Sequence, residues 1–213
     1  MRKLRFIIAI PLFVLGCARD PAKDAPAAKV STPAAPAATA AADAAGETLA
    51  IDPASSKLEW TGSKVTKTHP GGFKTFRGTI TLVDGKPEAS RVEIEIDTAS
   101  VWTDSERLAN HLRSADFFDA STHPKATFVS TAITPGGAGG ATHTVKGNLT
   151  LRGVTKEITF PATITVGDKE VTANAKFSLN RQDFGVAYRG APDDLVRDDV
   201  LVRWEIVAKR ASS

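Results

Sequence analysis

The residue with the most distinctive chemistry is Cys17, the only cysteine among 213 residues. It follows a basic start, Arg2 to Arg5, and an apolar run over residues 6–16. This order is typical of a secretory signal peptide, and the run is far shorter than the ~20 residues that span a bilayer. Residues 14–17, Val-Leu-Gly-Cys, resemble a bacterial lipobox, whose cysteine receives lipid. We predict a cleaved signal over residues 1–16 and lipidation of Cys17; the alternative is an ordinary signal peptide with an incidental buried cysteine.

The four histidines do not form a metal-binding pattern. His69, His111, His123 and His143 are widely spaced, and none has a second ligand type at a recognised spacing. Because Cys17 is assigned to lipid, a zinc site has no thiolate ligand either. The serines lie in turns and in the N-terminal region, and no nucleophile-elbow glycine pattern surrounds any of them. We therefore predict no metal, no catalytic residue and no enzymatic activity.

Arg181 lies in the polar segment Asn180–Asp183 and allows two interpretations. Its guanidinium could hold an anion such as a diphosphate, since arginine matches phosphate geometry with two parallel donors. Alternatively, Arg181 pairs with Asp183 and fixes a corner between strands. The sequence leaves both interpretations open, so Arg181 is a candidate anion contact.

The overall charge argues against nucleic-acid binding. The net charge of +3 includes three basic residues of the signal, and residues 1–16 contain no acidic one. Without the signal, 24 basic residues are balanced by 24 acidic ones. No lysine- or arginine-rich run stands out, so the positive surface typical of nucleic-acid binding is not expected.

Residues 17–48 have the composition of a tether. Alanine dominates, prolines recur, and neither aromatic nor many large aliphatic residues are present. Such a segment buries too little apolar surface to form its own core, and the prolines interrupt a helix. We predict a disordered tether that reaches up to about 90 Å when extended. Because Ala18 rather than an aspartate follows Cys17, we expect anchoring in the outer membrane, facing the periplasm.

Residues 49–213 form the predicted folded domain, which is rich in β-structure. Hydrophobic and polar residues alternate along most of it, which predicts antiparallel strands with one buried side. The alternating runs are residues 58–62, 76–82, 92–97, 145–152, 158–164, 171–179 and 200–206. Seven or eight strands with short connections predict a sandwich or a closed barrel. A capping box over Thr103–Glu106 predicts one helix, from Asp104 to Ser114.

Small residues recur on the predicted inward side of the strands. These are Gly62, Gly78, Gly147, Ala162, Ala173 and Ala175. They could fill the taper of a solid barrel, or they could leave a hollow for a ligand. An eight-stranded barrel has the size at which either outcome occurs.

The order of several segments resembles the YceI-like family of lipid-binding envelope proteins. The resemblance covers nearly all of residues 49–209, and each segment alone is a weak signal. The matching segments are residues 51–53, 56–60, 72–78, 112–119, 123–128, 145–156 and 180–185. The resemblance implies an all-β fold with one short helix: an eight-stranded antiparallel, lipocalin-like β-barrel that encloses an apolar tunnel. It also gives the small residues a role, since they would make room for the ligand.

The resemblance further implies a bound isoprenoid lipid, either a polyprenyl phosphate or an isoprenoid quinone, and no other cofactor. Under the anion interpretation of Arg181 given above, its guanidinium would contact the head group. The function would be transport, storage or sequestration of that lipid by a membrane-tethered protein; the alternative is a non-catalytic interaction module with a filled barrel. The predicted tunnel lining consists of Leu58, Trp60, Phe76, Ile80, Val92, Ile94, Ile96, Phe128, Leu149, Leu151, Phe160, Ile164, Phe177, Val202, Trp204 and Ile206.

Overall fold

The computed structural model of the protein describes residues 20–34 and 46–210. The predicted signal peptide, the predicted lipidation of Cys17 and parts of the predicted tether lie outside these residues. One helix, α1, spans Glu106–Arg113. The strands are β1 (Lys29–Ser31), β2 (Glu47–Ile51), β3 (Lys57–Ser63), β4 (Thr68–Phe73), β5 (Phe76–Val83), β6 (Lys86–Asp97), β7 (Val101–Thr103), β8 (Lys125–Pro135), β9 (His143–Leu151), β10 (Val154–Val166), β11 (Glu170–Asn180), β12 (Gly190–Ala191), β13 (Asp194–Leu195) and β14 (Asp199–Lys209).

Eight of these strands close into an antiparallel ring. The ring runs β10, β9, β8, β6, β5, β2, β14 and β11, and β11 pairs with β10 to complete it. A two-residue turn joins β5 to β6, where Asp84 and Gly85 both have positive φ, as a tight hairpin turn requires. The predicted fold class, an eight-stranded antiparallel barrel with one helix, is confirmed.

The long strand β14 changes its partner halfway along its length. Its end at Ala208 and Lys209 pairs with β2, whereas residues 201–205 pair with β3. Between the two pairings, the buried hydroxyl of Ser56 accepts a hydrogen bond of 2.9 Å from the Val207 N–H. The wall then continues from β3 to β4 and β7. The barrel therefore has more strands around one end than around the other.

The opposite seam, between β10 and β11, opens in the same direction. These strands pair only where residues 162–166 face residues 171–175. Beyond that stretch β1 pairs with β10, and Ser178 on β11 exchanges backbone hydrogen bonds of 2.8 and 2.9 Å with Ala28 and Pro26. We call this wider end the mouth; it is bordered by residues 63–69, by α1 and by residues 184–198.

Residues 20–34 correct the prediction of a disordered tether over residues 17–48. A short 3₁₀ turn over Pro21–Asp24 packs on the barrel with Ala22 buried, and β1 joins the sheet. The side-chain amide of Asn148 then holds both backbone groups of Ala34. The prediction was wrong here because strand addition requires free backbone groups rather than large side chains. We call residues 20–34 the N-terminal strap.

The helix also begins later than predicted. Ser105, rather than an earlier residue, is the N-cap, and its hydroxyl accepts a hydrogen bond of 3.4 Å from the Leu108 N–H. Asp104 is thereby left outside the helix and pairs with His69 on β4 at 2.8 Å. The capping-box pattern therefore located the helix but placed its start two residues too early.

We predict that Ser56→Ala destabilises the barrel at the β2–β3 break. The change leaves the Val207 N–H without its partner, and an unsatisfied buried donor costs about 1–3 kcal/mol. The measurement is the free energy of unfolding in denaturant. Ser55→Ala is the matched control, because Ser55 is exposed and its hydroxyl bonds only the Asp52 carboxylate; equal losses in both variants would contradict the assigned role of Ser56.

Candidate functional site

The mouth half of the barrel encloses an apolar cavity of about 650 Å³. This volume lies within the range of small-molecule sites. Its walls come from β3 and β4, from the mouth ends of β9, β11 and β14, from α1 and from residues 184–197. The cavity exists because the ring of strands is wider at the mouth. In the narrower half, the side chains of the eight strands fill the interior.

The structure separates the sixteen predicted lining residues into two groups. Seven line the cavity: Leu58, Trp60, Ile96, Leu149, Leu151, Val202 and Trp204. The other nine lie outside it. Seven are buried in the barrel core, namely Phe76, Ile80, Ile94, Phe128, Phe160, Phe177 and Ile206, and two, Val92 and Ile164, are partly buried against that core. Contact of any of them with a ligand stays a prediction.

An aromatic cluster forms the floor of the cavity. Phe160 and Phe177 are stacked at 4.4 Å, and Trp204 meets both edge-on at 5.6 Å. Phe128 joins them at 5.3 Å from Trp204. Only Trp204 of these four borders the cavity, so the cluster closes the barrel interior below it.

The small inward residues make room mainly for this core. A Cβ on Gly147 would lie 2.4 Å from the ring of Phe128, and one on Gly78 would lie 2.7 Å from Ile51. Of the six small residues singled out from the sequence, only Gly62 lines the cavity. The implied role of making room for a ligand therefore fits Gly62, while Gly147 and Gly78 admit protein atoms instead.

Several cavity residues come from elements without strand alternation and were not predicted. Leu108 and Leu112 project from α1, and Phe117, Phe184 and Tyr188 lie in loops. His111 contacts Phe117 at 5.0 Å and Tyr188 at 4.9 Å, which links α1 to the loop over residues 184–198. The helical spacing of the leucines and the Phe117–Phe118 pair were visible signals in the sequence, whereas Phe184 and Tyr188 gave none.

Two polar atoms in the cavity wall lack a hydrogen-bond partner among the described residues. They are the indole N–H of Trp60 and the hydroxyl of Ser63, and both atoms are buried. The Trp60 ring is held where Gly71 has no side chain, since a Cβ there would lie 2.3 Å from it. Unpaired buried polar groups are costly, and because both atoms are inaccessible from the cavity, a ligand would bond them only after a movement of the wall.

Arg181 is 7% exposed and is occupied by protein acceptors. Its guanidinium donates to the backbone carbonyls of Val186, Val196 and Arg197, and it pairs with the Asp198 carboxylate at 2.9 Å. Burial lowers the pKa of this guanidinium, and Asp198 opposes the shift. The ion-pair partner is thus Asp198 and not Asp183; contact between Arg181 and a ligand head group stays a prediction.

Two carboxylates hold the mouth loops together. Asp194 accepts hydrogen bonds from the Lys64 ammonium at 2.5 Å and from Thr66, and these bonds hold the pKa of Asp194 below its usual range. The hydrogen bond from His69 does the same for the pKa of Asp104. The β3–β4 turn is therefore joined to β13 on one side and to the start of α1 on the other.

Within the described residues, neither a metal site nor a membrane-spanning helix is found. Three of the histidines bond a carboxylate: His69 with Asp104, His111 with Asp116 and His143 with Glu88. In residues 20–34 and 46–210, no group of three or more histidine, cysteine, aspartate or glutamate side chains could hold a metal ion. Within these ranges, no helix combines the length and the apolar composition that a membrane span requires.

Comparison with known proteins identifies the family to which this barrel belongs. The profile of the YceI-like domain matches residues 49–208, and the chain belongs to the YceI-like family. The N-terminal strap lies before the matched region.

Curated and solved relatives agree with this assignment. A UPF0312 protein of Pseudomonas putida is 40% identical over 138 residues, which cover 62% of this chain and 71% of that protein. Burkholderia cenocepacia BcnA has a similar structure, with a TM-score of 0.66, 29% identity and coverage of 75% of this chain and 99% of BcnA. A polyisoprenoid binding domain from Saccharophagus degradans has a TM-score of 0.62 at 16% identity, covering 78% of this chain and 99% of that domain, which is a likeness of fold.

We predict that Gly147→Ala destabilises the aromatic floor. The added methyl group would push against the Phe128 ring, and overpacking a core costs about 1–3 kcal/mol. The measurement is again the free energy of unfolding. Gly62→Ala serves as the control, since its Cβ would meet only the Trp60 ring at an ordinary 3.5 Å; a loss as large in the control would disprove the distinction between floor and cavity.

We predict that the mouth loosens only in acid. Because the pKa of folded Asp194 is lowered, its contribution to stability is complete above the unfolded value of about 3.9 and is lost as the pH falls through the lower folded value. An NMR titration of the Asp194 carboxyl carbon measures the midpoint directly. Lys64→Met should move this midpoint up towards the usual value, and an unchanged midpoint would show that Lys64 is not the cause.

Proposed function

We propose that this protein is a membrane-tethered, periplasm-facing binding protein for an isoprenoid lipid, acting in its transport, storage or sequestration. The observation that carries the proposal is the cavity of about 650 Å³ with an apolar wall, closed at its floor and bordered by polar side chains at its mouth. Burial of an apolar chain contributes about 0.8 kcal/mol per CH₂ before ordering costs are subtracted. Such a site needs neither a metal nor a catalytic group.

The bordering polar residues fit a ligand with a polar head and an apolar tail. The Trp60 N–H and the Ser63 hydroxyl, which have no partner among the described residues, lie buried behind the wall. Lys64 and Arg107 line the cavity and supply cationic donors at its border. Donors of this kind suit either the phosphate of a polyprenyl phosphate or the carbonyls of an isoprenoid quinone. Membership of the YceI-like family and the fold shared with a polyisoprenoid binding domain support the isoprenoid tail.

The proposal includes anchoring through lipid on Cys17 in the outer membrane, and it assigns no catalysis. The alternative function, an interaction module, assumed a barrel filled throughout. The cavity in the mouth half argues against that assumption, so we favour the binding protein.

Lipid extraction and native mass spectrometry of the full chain expressed in a bacterial envelope test the proposal. We expect a prenyl lipid to co-purify with the protein. A chain that is empty and also fails to bind both an added polyprenyl phosphate and an added isoprenoid quinone would refute it.

We predict that Gly62→Phe reduces retention of this lipid by about tenfold or more, which corresponds to ~1.4 kcal/mol. The ring would extend into the cavity, because a Cβ at Gly62 meets only Trp60 within 4 Å. Thr165→Phe is the matched control, since it adds the same ring at an exposed position of β10. Equal retention in the two variants would show that the lipid binds elsewhere.

A further inference from the structure

The exposed large hydrophobic residues of the described chain all lie at the mouth. They are Val65 at 40%, Tyr188 at 37% and Leu195 at 48% exposure. Val65 lies in the turn between β3 and β4, Leu195 lies on β13, and the Val65 N–H bonds the Leu195 carbonyl at 3.2 Å. Tyr188 lies in the same loop as Leu195 and packs against Phe117 at 5.2 Å. We call Val65, Tyr188 and Leu195 the mouth rim.

Two of the positive charges next to the rim are compensated by carboxylates. Lys64 and Asp194, which flank Val65 and Leu195 in sequence, form an ion pair at 2.5 Å, and Lys67 pairs with Asp104 at 3.5 Å. Compensated charges lower the cost of bringing this end of the barrel to an apolar surface. The tyrosine adds a side chain with an apolar body and a polar tip, which is favoured at membrane interfaces.

The N-terminal strap leads the chain to the same end of the barrel. Its first described residue, Asp20, is buried, and its carboxylate lies 3.5 Å from the guanidinium of Arg197, which lines the cavity. The Arg197 N–H in turn bonds the Ser63 carbonyl on β3. Three residue steps separate Cys17 from Asp20, so the two Cα atoms lie at most ~11 Å apart. A lipid on Cys17 would thus enter the bilayer beside the mouth.

We propose that the mouth rim docks on the lipid bilayer, with Val65, Tyr188 and Leu195 in the interfacial region and the cavity opening towards the membrane. The proposal rests on the proposed function for the anchor at Cys17. Beside an anchor on Cys17, the rim would add apolar contact with the bilayer and would fix which end of the barrel faces the membrane. A ligand whose tail resides in the bilayer could then pass between membrane and cavity without crossing water.

Site-specific fluorescence quenching tests this orientation. The full chain is purified from membranes as Leu195→Cys, and as Asp84→Cys on the β5–β6 turn at the opposite end of the barrel, and each new thiol is labelled with an environment-sensitive dye. Both are reconstituted into vesicles of phosphatidylethanolamine and phosphatidylglycerol, with or without spin-labelled lipid. We expect a blue shift and several-fold stronger quenching at position 195 than at position 84.

Equal quenching at the two positions, or none at position 195, would overturn the docking proposal. Val65→Cys provides a second probe of the rim should Leu195→Cys fold poorly. The intact mass reports lipidation separately; if Cys17 carries no lipid, the same variants combined with Cys17→Ser are added to the vesicles, and the same comparison decides.

The outcomes for docking and for the proposed ligand are distinguishable. If the chain shows quenching at the rim but yields no prenyl lipid on extraction, the docking surface is supported and the isoprenoid ligand is refuted. If the chain retains prenyl lipid but shows equal quenching at both ends, the isoprenoid ligand is supported and the docking surface is refuted. Shielding of position 195 in the absence of vesicles would instead indicate contact with a second protein molecule and would also overturn the proposal.

Discussion

The hydrogen bond from the Val207 N–H to the Ser56 hydroxyl marks the point on which the architecture depends. Buried backbone groups must remain paired, so a closed ring of strands cannot widen unless new partners replace those that separate. Here β14 exchanges β2 for β3 across Ser56, and β11 exchanges β10 for the N-terminal strap at Ser178. Both exchanges widen the same end. The barrel can therefore be solid at one end and hollow at the other without unpaired strand edges between them.

This arrangement explains what the sequence could and could not predict. Alternation along each strand is a local signal, and it located six of the eight ring strands with their inward sides: β5, β6, β9, β10, β11 and β14. The other two, β2 and β8, were not among the alternating runs. Whether an inward residue lines a cavity depends on the local circumference, which no single strand encodes. Leu149 and Gly147 both face inward on β9, yet one borders the cavity and the other admits the Phe128 ring. The predicted lining therefore mixed cavity residues with core residues.

The mouth was less predictable because its residues come from a helix and loops. Leu108 and Leu112 had a helical signal, but Phe184 and Tyr188 are placed by contacts between distant segments. Arg181 is the clearest case. Its sequence context allowed an anion site or a structural pair, and the structure surrounds it with three backbone carbonyls and Asp198 from the loop over residues 184–198. A buried arginine bound in this way positions the loop whose side chains complete the cavity wall, since removing its partners would leave an uncompensated charge.

The N-terminal strap also changes how the distance to the membrane is set. A tether over residues 17–48 would have allowed the barrel to move up to about 90 Å away from an anchor at Cys17. Because Asp20 is buried against the mouth, only the residues between Cys17 and Asp20 separate that anchor from the folded body, whatever path residues 35–45 follow. Composition alone could not reveal this, since alanine and proline are poor core formers in isolation. Their small side chains nevertheless fit over a seam between strands, where backbone hydrogen bonds supply the specificity. The segment that looks most like a spacer therefore limits the separation between the cavity and the proposed anchor.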